Sequence, residues 1–194
     1  MNGHKNFWDR NAKLYDRFMC KDAAAYAQMY DLLRPVVQGK MVLELATGTG
    51  LIAKHIAEEA ELVEATDASA EMIAEARREN GCAKLHFSVQ DMFHLPYVEQ
   101  SFDVVIVSNA LHIVPQPEAA LREIRRVLKD GGVLAAPTFT HAENSLSGKI
   151  RAFMMRLAGF PLHSKWTSGE YLAFLRENGW TIRKSAVLNA SFPL

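Results

Sequence analysis

Two rhythms of apolar and polar residues run along this chain, and they take turns. Short strand-like runs recur at Met41–Ala46, Leu62–Thr66, Lys84–Val89, Phe102–Ser108 and Val133–Phe139. Phe102–Ser108 is rich in Val and Ile on both faces, as in a parallel strand covered by helices. Between them apolar residues fall at helical spacing. Leu51–Glu59 is one such stretch, and Ala70–Glu79, closed by Asn80–Gly81, is another. A third helix starts at Pro117 and runs to about Lys129, where Asp130–Gly131–Gly132 ends it. Thr167–Ser168–Gly169–Glu170 has the form of a capping box, opening a helix that stops at Asn178–Gly179. Trp180–Leu188 reads as a sixth strand.

This alternation predicts one α/β domain over 1–194: a doubly wound, Rossmann-like, mostly parallel sheet in three α/β/α layers. Residues 39–140 would be its core. Residues 1–38 read as an N-terminal helical cap rich in aromatics (Phe7, Trp8, Tyr15, Phe18, Tyr26 and Tyr30). Residues 141–166 interrupt the alternation as an inserted lid, and 167–194 supply the last helix and strand.

Composition narrows the classes. Hydrophobic residues make up 49% and charged residues 23%, as in ordinary soluble globular proteins. Lys plus Arg and Asp plus Glu both total 22, so the formal net charge is zero. Arg122, Arg125 and Arg126 are interleaved with Glu118 and Glu123, a solvated helix face rather than a nucleic-acid surface. No apolar run approaches the ~18 residues of a membrane span, and Met1–Arg10 lacks the apolar stretch of a signal peptide. Cys20 and Cys82 lack metal-ligand spacing. A cytoplasmic protein without a metal site or nucleic-acid partner is expected.

The chemistry gathers where strands end. The first strand runs into Ala46–Thr47–Gly48–Thr49–Gly50, whose glycines permit a tight turn and close approach of a ligand to the backbone. Asp67 ends the second strand, where a carboxylate can accept both hydroxyls of a ribose. Gln90 and Asp91 end the third, and Asp91 with Met92 could hold an adenine. The fourth ends at Ser108–Asn109–Ala110–Leu111–His112, beside the same crevice. Glu44 lies inside the first strand, where a carboxylate is costly unless paired. Its partner would be a cationic ligand group, or else a protein Lys or Arg.

Taken in order, these segments resemble the motifs of class I S-adenosylmethionine-dependent methyltransferases, nearest to the small-molecule type of ubiquinone and menaquinone biosynthesis. Val42–Gly50 resembles the first motif, and Asp67, Gln90–Asp91–Met92 and Phe102–Val105 leading to Asn109 resemble the next three. Leu121–Gly132 resembles the helix and Gly–Gly turn before the fifth strand. The resemblance is close over about residues 40–140. It implies S-adenosyl-L-methionine as cofactor and a small, apolar or aromatic methyl acceptor. It also implies roles. Glu44, Ala46, Thr47, Gly48, Thr49 and Gly50 would hold the methionine end. Asp67 would take the ribose, with Ala68 and Met72 packed nearby, and Gln90, Asp91 and Met92 would flank the adenine. Ser108, Asn109 and Ala110 would line the inner face, and Tyr15 would close over the cofactor.

Methyl transfer of this kind is an in-line displacement, so the protein mainly binds, aligns and excludes water. A base is needed only where the acceptor must lose a proton; His112 and His141, after the fourth and fifth strands, are the candidates. His163 lies in the inserted segment, and His4, His55 and His86 lie away from the crevice. Ile150, Phe153, Met154 and Leu157, with Phe160 and Trp166, would wall the acceptor pocket or pack on the core. Two departures from the family pattern stand out. Ala46–Thr47 replaces a common Gly or second acid, and after strand six too few residues remain for the family's seventh strand. An uncovered sheet edge is a liability, so a homodimer or a rearranged edge is predicted. Two competing readings are a nicotinamide-dependent oxidoreductase and a non-catalytic cofactor-binding module. Gly48–Thr49–Gly50–Leu51–Ile52–Ala53 satisfies the dinucleotide fingerprint, although Glu44 would sit badly beside a pyrophosphate.

Overall fold

Val and Ile fill both faces of the central strands, so helices must cover both, and they do. The computed structural model describes residues 8–10, 12, 22–78, 80–140, 163–188 and 190. In chain order the elements are α1 (Ala23–Val37), β1 (Met41–Leu45), α2 (Leu51–Ile56), β2 (Leu62–Asp67), α3 (Ala70–Arg77), β3 (Leu85–Val89), β4 (Phe102–Val107), α4 (Pro117–Val127), β5 (Leu128–Ala135) and α5 (Ser168–Glu177). All strand pairs are parallel, in the order β3-β2-β1-β4-β5. The doubly wound, Rossmann-like sheet is therefore present, and its strand order reverses between β1 and β4.

Alternation along each strand divides the core in two. Val42, Val63, Phe87, Val104 and Ile106 point to the layer of α1, α2 and α3. Leu43, Leu45, Val105 and Val107 point to the layer of α4 and α5. Tyr171 of α5 donates its hydroxyl to the Ala136 carbonyl at 2.8 Å, tying that helix to the end of β5. The capping box expected at Thr167 and Glu170 forms, with both reciprocal hydrogen bonds.

Two expectations need correction. The fifth strand begins at Leu128 rather than Val133, and Asp130–Gly131–Gly132 lies within it. Phe102 pairs with Leu128 and Val104 with Val133, so the Gly–Gly turn is a bulge inside the β4–β5 ladder. The Asp-Gly-Gly sequence is a local stop signal for a helix, but the ladder continues on both sides of it. The second correction is Trp180–Leu188. It joins no ladder among the described residues. A strand exists through its partner, and here the segment faces the outer edge of β5 across a cavity of about 820 Å3. That slot lies between Leu33 and Val36 of α1 and Tyr171 and Leu175 of α5. Apolar side chains line most of this slot beside β5.

Candidate functional site

The reversal of strand order opens a crevice at the carboxyl ends of β1 and β4, which is where ligands bind in such sheets. Leu45 ends β1, and the chain turns sharply because Ala46, Gly48 and Gly50 all take positive φ (+52°, +60° and +80°). The turn packs so closely that a Cβ on Gly50 would lie 2.7 Å from Phe87 Cζ. Ala46 occupies the left-handed region at a cost glycine would avoid.

Asp67, at the tip of β2, braces this turn. Its Oδ2 accepts the Gly48 N–H at 2.9 Å, and its Oδ1 accepts the Ser69 N–H at 2.8 Å. Burial raises its pKa, against hydrogen bonds from Ser69, Gly48 and Ala68. The Gln90 N–H donates to the Asp67 carbonyl at 3.0 Å, which draws the end of β3 to the same tip. Asp91 is half exposed and caps its own turn by accepting the Phe93 N–H at 3.0 Å. Met92 packs on the core beneath. Met72 is buried in α3, and its N–H is capped by Ser69 Oγ at 3.1 Å.

Glu44 lies at the centre of the sheet, paired in register with Ala65 and Ile106, and is 2% exposed. No ion pair among the described residues involves it. Burial pushes its pKa from 4.5 up to about 8; the Thr47 side chain and the Ala53 N–H lying against it pull the other way, and Asp67 adds to the rise. Its Oε2 has no hydrogen-bond partner among the described residues. Buried polar atoms without partners are rare and call for an explanation. Two of the six among the described residues, Glu44 Oε2 and Ser108 Oγ, sit at the β1 and β4 ends of this crevice. Their clustering fits a site built to receive polar and cationic ligand groups.

After β4, Asn109 also has φ +52°. Its Oδ1 accepts the Phe139 N–H at 3.1 Å, and its Nδ2 reaches Tyr26 Oη at 3.4 Å. Ala110 is buried beside it. His112 is 1% exposed, with Nδ1 2.9 Å from Thr138 Oγ1, while its carbonyl accepts the His163 and Ser164 N–H groups at 3.0 and 2.9 Å. These bonds tie the exit of β4 to the exit of β5 and to the approach of α5. Trp166 stacks on Phe174 of α5 with ring centroids 4.7 Å apart. Tyr15, His141, Ile150, Phe153, Met154, Leu157 and Phe160 lie outside the described residues.

Hydrogen bonds thus join the glycine turn, the tip of β2 and the end of β3, while Asn109 fastens the end of β4 to Phe139 and Tyr26. Sequence reasoning missed Asp9, whose Oδ1 lies 2.5 Å from Ser69 Oγ, and Thr138, the partner of His112. Neither belongs to a motif, and a contact across 60 residues leaves no local signal.

Residues 43–136 match a family described as a methyltransferase domain. A demethylmenaquinone methyltransferase of Thermotoga maritima is 34% identical over 143 residues, covering 71% of this chain and 60% of that protein. The ubiquinone/menaquinone biosynthesis C-methyltransferase UbiE of Azotobacter vinelandii is 33% identical over 153 residues, covering 73% and 60%. The chain spans about half the length of the curated relatives it matches. Among solved structures, a DhpI–SAH complex superposes with a TM-score of 0.71 at 29% identity, covering 92% of this chain and 87% of that one.

Proposed function

We propose that this chain, whose residues 43–136 match a methyltransferase domain, is a class I S-adenosylmethionine-dependent methyltransferase that moves a methyl group from S-adenosyl-L-methionine to a small quinone-type acceptor. The observation that carries this reading is the buried Glu44 beside the glycine turn, whose Oε2 has no partner among the described residues. A buried carboxylate without a cation calls for one, and the ammonium of the cofactor's methionine end supplies it. When bound, the cofactor provides the electrophilic methyl group and its own leaving sulfur. Glu44 and the 46–50 turn hold the methionine end in this reading. Asp67, with Ala68 and Met72 behind it, accepts from the ribose, and Gln90, Asp91 and Met92 flank the adenine. Ser108, Asn109 and Ala110 line the inner wall, and Tyr15 covers it. His112, locked to Thr138, serves better as a positioning residue than as a base; His141 is the other histidine we assign to the acceptor side.

The acceptor follows from the names of the relatives, which specify demethylmenaquinone or ubiquinone and menaquinone biosynthesis. Among the described residues no helix is long and apolar enough to cross a membrane. A cytoplasmic enzyme with no nucleic-acid partner is the setting we assign. We also assign the apolar slot beside β5 to contact with a second copy; only monomer in light scattering at micromolar concentration would remove that assignment.

The primary test is binding followed by turnover. S-adenosylmethionine and S-adenosylhomocysteine should raise the thermal midpoint while NAD does not, and Asp67→Ala should abolish most of the shift. Label from methyl-labelled cofactor should appear in demethylmenaquinone. A protein that binds the cofactor but methylates no quinone would be a binding module or an enzyme for another acceptor. A shift with NAD alone would point to the oxidoreductase.

A further inference from the structure

Ser69 is the N-cap of α3, and its Oγ accepts the Met72 N–H at 3.1 Å. That bond completes the cap and leaves the hydroxyl proton free to be given elsewhere. It goes to Asp9, whose Oδ1 lies 2.5 Å away on the helical segment Trp8–Arg10. Ser69 is 2% exposed, so this contact forms against the body of the protein rather than in open solvent. It places a second carboxylate at the tip of β2, close enough for its charge to act on Asp67. Neither Asp9 nor Asp67 takes part in an ion pair among the described residues, and Asp9 Oδ2 has no hydrogen-bond partner there.

Two like charges held together cost free energy unless something accepts from neither and donates to both. The lone pairs indicate what that is. Each oxygen of Asp67 already receives at least one backbone N–H, Oδ2 from Gly48 and Oδ1 from Ser69. Its remaining capacity is reduced, whereas Asp9 Oδ2 is uncommitted. Glu44, buried with its own unpartnered oxygen and coupled electrostatically to Asp67, shows that the same crevice expects a ligand. We infer that Asp9 is a nucleoside-binding residue: the N-terminal segment brings its carboxylate to the tip of β2, so that Asp9 and Asp67 share the two hydroxyl donors of a ribose diol. This inference rests on the reading of the crevice as an adenosyl site. It makes Trp8–Arg10 part of that site.

The test is calorimetry on the full chain with S-adenosylhomocysteine and its 2′-deoxy and 3′-deoxy analogues. A hydrogen bond to a charged group is worth roughly tenfold or more in affinity. Asp9→Ala should therefore weaken S-adenosylhomocysteine about tenfold, and Asp9→Asn, which keeps one acceptor, should weaken it less. For whichever deoxy analogue lacks the hydroxyl held by Asp9, wild type and Asp9→Ala should bind alike. Unchanged or tighter binding by Asp9→Ala overturns the inference, because the segment is then a bystander or a latch. An equal loss for all three ligands also overturns it, because the residue then acts only through folding; circular dichroism of the variant checks this. A wild type that binds none of the three removes the adenosyl reading itself, whereas wild-type binding with an indifferent Asp9→Ala removes only the role of Asp9.

Discussion

Glu44→Gln isolates the physical tension at the centre of the sheet. In the free protein, burial raises the Glu44 pKa from 4.5 to about 8. The native state therefore keeps a proton that the unfolded chain releases above pH 4.5. Between these values the folded form binds more protons than the unfolded, so its stability falls as pH rises through the window. The contribution is complete below about pH 4.5 and lost above about 8. At 1.36 kcal/mol per pH unit, the loss reaches about 3 kcal/mol at pH 7 and about 5 kcal/mol above pH 8. Glutamine has no proton to lose, so the variant should lack this slope. For a domain of this size, about 3 kcal/mol corresponds to a relative shift of roughly 6–12 °C in Tm. Thermal melts from pH 5 to 8 should show wild type falling against Glu44→Gln by that order. Carboxylates held below their usual range, such as Glu123 beside Arg126, act in the opposite direction but are common to both proteins. The same carboxylate should report on binding. At pH 7 about nine-tenths of the free protein carries the Glu44 proton, and an ammonium at Oε2 favours its release. Calorimetry in buffers of different ionisation enthalpy should then show close to one proton released with S-adenosylmethionine for wild type and none for the variant. Parallel pH profiles, together with equal affinity and equal proton release, would refute the account of Glu44.

Other expectations test the scaffold. Ala46→Gly relieves the left-handed cost at φ +52° and should stabilise by up to about 1 kcal/mol after glycine's own entropy is counted, read as a higher urea midpoint. Gly50→Ala adds a Cβ 2.7 Å from Phe87 Cζ at φ +80°; a loss of about 2–4 kcal/mol is expected, and a neutral result would mean that the turn relaxes freely. Thr138→Val leaves His112 Nδ1 buried without its 2.9 Å partner and should cost about 1–3 kcal/mol in chemical denaturation, while S-adenosylhomocysteine affinity stays within twofold.

Much of this fold is legible in the sequence. The positions of β1 to β4, the left-handed glycine turn and the carboxylate at the tip of β2 all follow from local pattern. They reflect interactions within a few residues: apolar periodicity, turn conformations open to glycine, and acids placed after apolar runs. Tertiary structure decided what depends on a partner. Trp180–Leu188 has strand-forming residues but joins no ladder, because hydrogen bonds need a neighbour at the right distance and β5 lies across a slot. Leu128 joins the sheet early because the β4 ladder holds both sides of the Asp130–Gly131–Gly132 bulge, overriding a local stop signal. Glu44 is conspicuous in the sequence, yet only packing leaves one of its oxygens without a partner among the described residues. The meeting of Asp9 with Ser69, and of His112 with Thr138, joins residues that share no motif. Such contacts are set by how helices and loops pack on the finished sheet, and a linear pattern does not encode that geometry.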